Sequence, residues 1–195
     1  MTRIALILLL LATPLRGAEI EAGIRHVGMW PTASSDVNVV SSRGFAATGE
    51  VFWSEHVSAQ FAATFLNPAA FVGPNDVVDL GTLGIDAYSA SARWHFAPAR
   101  RFSPFAGAGV ALVMLGNLED RFGDDLEITF DHETTFLAQA GVRYRLFENV
   151  VVDAAVSYMP LEAQATFVKN NNSIVFPETL NLNPLTVSVG AAYRF

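Results

Sequence analysis

The sequence predicts an all-β chain folded as a closed, eight-stranded antiparallel up-and-down transmembrane β-barrel. Three observations carry that prediction. Hydrophobic residues make up 51% of the chain and the mean hydropathy is +0.33, yet beyond the N-terminal leader no run of eighteen apolar residues occurs. Helical spanning is thereby excluded, and the apolar residues must be spread by alternation, as barrel strands spread them. Segments of period-two alternation recur along the chain, separated in turn by long and short connections. On five of them the same face carries a large residue at both ends of an eight-residue step: Phe45 to Trp53, Val57 to Phe65, Tyr88 to Phe96, Phe136 to Tyr144 and Val150 to Tyr158. At ~3.3 Å per residue and a tilt of about 40°, that step climbs roughly 20 Å, close to the ~25 Å apolar band of outer-membrane barrels. A soluble lipocalin-like barrel also alternates but has no reason to repeat one height.

The elements follow in order. Arg3, the apolar run Ile4 to Ala12 and the small-residue exit at Gly17-Ala18 read as a secretory signal peptide over residues 1–18, with cleavage after Gly17 as the competing position. The remainder, residues 19–195, reads as one barrel domain. The first strand runs from Glu19 to Val27 through Ile20, Ala22 and Ile24, and opens a polar stretch from Pro31 to Arg43. Phe45, Ala47, Gly49, Val51 and Trp53 form the second apolar row, and after a tight turn at Ser54 to His56 the third follows through Val57, Phe61 and Phe65. Asn67 to Thr82, with two prolines and two glycines, reads as loop. Tyr88, Trp94 and Phe96 mark the fourth strand, a turn at Ala97 to Arg101 leads into the fifth over Phe102 to Leu115, and the Gly107-Ala-Gly109 centre leaves the fifth strand's facing open. An acidic loop over Gly116 to His132 precedes the sixth strand, Phe136 to Tyr144, and a turn at Phe147 to Asn149 leads into the seventh, Val150 to Tyr158. Asn170 to Ser173 lies in the last loop. The chain closes on Leu185, Val187, Val189, Ala191, Tyr193 and Phe195, all of one parity, with Thr186, Ser188 and Arg194 on the other. An apolar strand of this kind is safe only with a neighbour on each side. Its end resembles the signal by which the outer-membrane assembly machinery recognises its clients, which makes that machinery an expected partner. Short turns and both termini are expected in the periplasm, long loops outside.

Charge and composition narrow the partners. Cysteine is absent, so disulfide and thiol chemistry are excluded. Loss of Arg3 and Arg16 with the leader lowers 12 basic residues to 10 against 19 acidic ones, a net charge of about −9, which argues against nucleic acid. No cofactor is expected. His26, His56, His95 and His132 have no metal-ligand spacing, and the acids from Glu119 to Glu127 lack the ordered calcium-loop signature, so no metal site is assigned. Asn171-Asn-Ser173 matches a glycosylation acceptor by pattern alone.

Several stretches, in order, resemble one family. Gly44-Phe45 through Trp53-Ser-Glu-His-Val57 to Phe65-Leu-Asn-Pro-Ala69 is the first. Ala92-Arg-Trp-His-Phe96 with Phe102-Ser-Pro-Phe-Ala-Gly-Ala-Gly-Val110, then Val152-Asp-Ala-Ala-Val-Ser-Tyr158, and finally Asn183-Pro184 with Tyr193-Arg-Phe195 complete the set. Together they are similar to the OmpW family of small outer-membrane proteins. The resemblance implies localisation in the outer membrane and a narrow, partly apolar lumen that passes or holds small hydrophobic compounds. It brings no catalytic residues.

Parity assigns the faces. Phe45, Trp53, Phe65, Tyr88, Trp94, Phe96, Phe136, Tyr144, Tyr158, Tyr193 and Phe195 form the expected aromatic girdles against outer-membrane lipid. Arg25, Glu50, Arg93, His95, Arg143, Arg145, Asp153 and Arg194 take the inward parity, as a lumen charge layer that either plugs the interior or selects ligands. A three-residue turn at Phe147 to Asn149 sets Arg143 opposite Asp153, where an ion pair is expected. Beyond the charges, Thr48, Ala62, Ala155 and Met159 are candidates to line an apolar pocket for a small hydrophobic ligand. Two other functions compete: a structural or adhesive barrel working through its loops, and a lipid hydrolase, for which His95 has no serine partner visible in the sequence.

Overall fold

The computed structural model describes residues 19–32, 37–72, 78–116, 118–119, 126–130, 132–169, 172–173 and 178–195; the expected leader lies outside them. Eight strands form the barrel: β1 (Glu19–Trp30), β2 (Ser42–Phe52), β3 (Val57–Leu66), β4 (Ile85–His95), β5 (Phe102–Leu115), β6 (Glu133–Arg145), β7 (Val150–Tyr158) and β8 (Leu185–Arg194). Each pairs antiparallel with its neighbours in sequence, and β8 pairs with β1, so the sheet closes on itself as an up-and-down barrel with no free edge. Closure is carried to the last residue, where the Phe195 amide donates to the Ile20 carbonyl at 2.9 Å.

Alternation decides which face each residue takes. All eleven aromatic residues assigned to the girdles are exposed on the outer surface, from Tyr88 at 40% to Phe136 at 76%. They stand near the two ends of the strands. Phe45 faces Phe65 across β2–β3 at the loop end, and at the turn end Trp94 faces Val57 while the rings of Tyr193 and Phe195 meet edge to face at 5.2 Å. Ile24, Val110, Val142, Val156 and Val189 fill the exposed band between. In water such a surface would drive aggregation; against lipid it is the stable face.

The facing of β5 is settled by its partners. Ser103, Phe105, Ala111 and Val113 are buried while Phe102, Val110 and Leu112 are exposed, so Gly107 and Gly109 fall on the inward row. A Cβ at Gly107 would stand 2.6 Å from the Ala92 carbonyl oxygen and 3.0 Å from Cγ of Arg93. One at Gly109 would stand 2.0 Å from the Ala90 oxygen. The glycines let β4 approach and leave room for the Arg93 side chain to lie across the lumen.

Two expectations need correction. The segments read as loops hold strands: Val37–Val39, Ala69–Val72 and Val78–Thr82 make one small sheet. Leu118–Glu119, Leu126–Phe130, Glu162–Lys169, Asn172–Ser173 and Glu178–Asn181 make another. The reason is long-range pairing: Val37–Val39 finds Ala70–Val72, and Leu126–Phe130 finds Ala165–Lys169, across connections that glycine, proline and acid content make look irregular. The barrel strands also run past the outer aromatic level, with β4 starting at Ile85 and β6 at Glu133.

Candidate functional site in the barrel lumen

The inward rows divide the lumen into a polar half at the turn end and an apolar half at the loop end. In the polar half, Glu21 and Glu50 are direct partners in the β1–β2 register and are both buried. Two carboxylates so placed repel unless a cation lies between them. Arg143 supplies it, with one nitrogen on Glu21 and another 3.6 Å from Glu50. Arg93 reaches Glu50 at 3.2 Å and donates to the Gln139 carbonyl oxygen at 2.7 Å, and Gln139 donates in turn to Ser91 at 2.6 Å. Arg194 bridges Glu19 and Glu21, each at 2.8 Å, and Arg25 pairs with Asp153. Four arginines thus meet four carboxylates. This neutral arrangement is what allows so many charges to be buried at once. Aromatic faces support the cations: the Arg93 guanidinium lies 4.3 Å from the Phe105 ring centroid and that of Arg143 4.9 Å from Phe52.

Arg143 and Asp153 do stand opposite each other in the β6–β7 ladder, but they do not pair. Arg143 is drawn across the lumen to the two adjacent carboxylates, and Asp153 takes Arg25 from β1 instead. Arg145 makes no ion pair among the described residues and sits at the turn-end mouth. The sequence reading does not single out Glu21 and Gln60, although Glu21 shares the inward parity of Arg25 and Gln60 that of Ala62; Ser91 and Gln139 fall on inward rows by parity, and all four are buried.

His95 does have a serine beside it. Its Nε2 is 2.9 Å from the Ser58 hydroxyl and 3.3 Å from Glu50, and Ser58 itself donates to Glu50. In a hydrolytic relay the acid holds Nδ1 while Nε2 takes the serine proton. Here hydroxyl and carboxylate meet the same ring nitrogen, and Ser58 is fully buried. The cluster satisfies the buried Glu50 carboxylate and presents no nucleophile. Among the described residues, no group of three or more His, Cys, Asp or Glu side chains is placed to hold a metal ion.

Above the ionic layer lies a cavity of about 70 Å³. Arg25, Gln60 and Gln139 form its floor, and Val27, Met29, Leu66, Ile85, Val113 and Leu137 most of its apolar wall. Thr48, Ala62 and Met159 also line it. Ala155 does not; it is buried on the inward row of β7 below, opposite Ser188 and Gly141. Leu161 and Leu182, both buried, line the cavity at the loop end. Leu182 donates its amide to the Leu161 carbonyl at 3.0 Å, Thr32 donates to Leu182 at 3.2 Å, and the Asn183 side chain accepts from the Leu161 amide at 2.9 Å. Asn183 has a φ of 36°, a left-handed conformation that asparagine tolerates better than most residues.

The OmpW family model matches residues 10–195. The chain belongs to the OmpW family. No curated protein matches it at a significant level. Among solved structures, this OmpW-family barrel is similar to the outer-membrane protein OprG of Pseudomonas aeruginosa, with a TM-score of 0.76 and 15% identity over 92% of this chain and 96% of that one. It is also similar to AlkL, determined in lipid bilayers, with a TM-score of 0.64 and 19% identity over 92% and 90% of the two chains. For E. coli outer membrane protein W the values are 0.55 and 18%, over 90% and 97%. At these identities the structures establish the fold, and with the family match they place the protein in the outer membrane with lipid around its belt.

Proposed function

We propose that this protein binds small hydrophobic compounds in the loop-end cavity and passes them across the outer membrane without acting on them chemically. The observation that carries the reading is the pairing of an apolar cavity in the loop-end half of the lumen with a paired ionic layer beneath it. An apolar compound leaves water for a wall of aliphatic side chains, and the ionic layer keeps the axis from being a water-filled channel. The same reading has residues 1–18 removed as a leader, the closing strand recognised by the assembly machinery, and the girdle aromatics seated at the two lipid interfaces.

The test uses the refolded protein in liposomes, with uptake of a fluorescent apolar solute and single-channel conductance measured together. Uptake is expected to exceed that of empty liposomes with little ion conductance, and Ala62→Phe, which fills the cavity, is expected to return uptake toward the empty-liposome rate. Uptake no faster than in empty liposomes would remove the transport reading in favour of a structural or adhesive barrel. Release of fatty acid from a lipid ester would instead bring back the enzyme.

A further inference from the structure

We propose that the turn-end mouth of the barrel is a binding site for a phosphate-bearing ligand. A second cavity opens there, about 270 Å³, on the turn side of the ionic layer and separate from the apolar pocket. Five of the chain's eleven arginines line it, Arg100, Arg101, Arg143, Arg145 and Arg194, against the two carboxylates of Glu19 and Glu55. In a chain of net charge −7 such a concentration of cations runs against composition. Arg143 and Arg194 are committed to Glu21 and Glu19. Arg100, Arg101 and Arg145 make no ion pair among the described residues, and two of them are held together, since the Arg145 amide donates to the Arg101 carbonyl at 2.9 Å.

A second observation points the same way. Ser103 lines this cavity opposite Arg143 in the β5–β6 ladder. It is buried, 7% exposed, and its hydroxyl has no hydrogen-bond partner among the described residues. A buried hydroxyl left unpaired is costly, and a ligand oxygen reached by a small side-chain movement would remove that cost. Guanidinium forks match tetrahedral oxyanions, and a phosphate has oxygens enough to engage several at once, whereas a single carboxylate satisfies one fork. The chemistry is shared by two sources on the turn side: a free phosphate compound, or the headgroup of a neighbouring lipid.

The protein refolded in a phosphate-free maltoside detergent separates them. Binding of pyrophosphate is measured by titration calorimetry, and retention of phosphatidylglycerol against diacylglycerol by native mass spectrometry. Binding of pyrophosphate identifies the free compound; retention of phosphatidylglycerol alone identifies the headgroup; either supports the site. Arg101→Gln and Arg145→Gln are each expected to weaken binding about tenfold, as loss of a charged hydrogen bond does, and Ser103→Ala to weaken it as well. Arg43→Gln, at the opposite end of the barrel, should leave it unchanged. Failure to bind either probe, equal binding by the Arg101 and Arg145 variants, or an equal loss in Arg43→Gln would overturn the proposal. Ala62→Phe acts only in the apolar cavity, so the fate of this site is independent of solute uptake.

Discussion

Arg93 shows how little freedom a single lumen side chain has. It is fully buried, pairs with Glu50, donates to Gln139 and stacks on Phe105, all from the centre of an eight-stranded interior just wide enough for side chains. Arg93→Ala leaves Glu50 short of a partner and is expected to cost roughly 3–5 kcal/mol in urea unfolding from lipid vesicles. Arg93→Ala with Glu50→Ala should cost clearly less than the two single changes summed, because the second removes the charge that the first exposes. A fully additive cycle would show that the two side chains do not interact. Parity puts both inside, and Glu21, which shares that parity, lies inside as well. What it could not supply was the partner: Arg143 answers a pair of carboxylates three and four strands away, not the aspartate opposite it.

The strands carry the most legible signal, since the direction of a side chain from a strand is a local property with a period of two. Their boundaries are less legible. β4 begins at Ile85, three residues before the aromatic that marks the membrane level, because its inward row continues into the apolar cluster with Val27, Leu66 and Leu115. β5 could not be oriented from its sequence, as glycine and alanine occupy both of its faces through the centre; only the neighbouring β4 and β6 settle it. The outer face gives a direct test. Val189 is 56% exposed midway along β8, and Val189→Arg is expected to destabilise the barrel by about 2–4 kcal/mol, the cost of arginine at mid-depth in lipid. Ser188→Arg would point into the lumen instead and should fail differently, by overpacking. A Val189→Arg variant as stable as the parent would mean that β8 does not face lipid.

Closure is a property of the whole chain. β8 completes two ladders at once, with β7 and with β1, and Phe195 contributes the last hydrogen bond together with an exposed ring. Deleting Phe195 is expected to lower the amount of protein reaching the outer membrane in cells while leaving unaided refolding in detergent near the parent level, as judged by heat-modifiable gel migration. An equal loss in both assays would assign the residue to closure and not to recognition.

Alternation along each strand, read with no neighbour in view, was enough to predict eight strands, an exposed apolar face and charges turned inward. Each of those properties belongs to a few consecutive residues. The partners of Arg143 and Asp153, the serine beside His95 and the two cavities on either side of the ionic layer all depend on residues more than twenty positions apart. They exist only once the sheet has closed, because closure and stagger bring distant inward rows to the same level of the lumen.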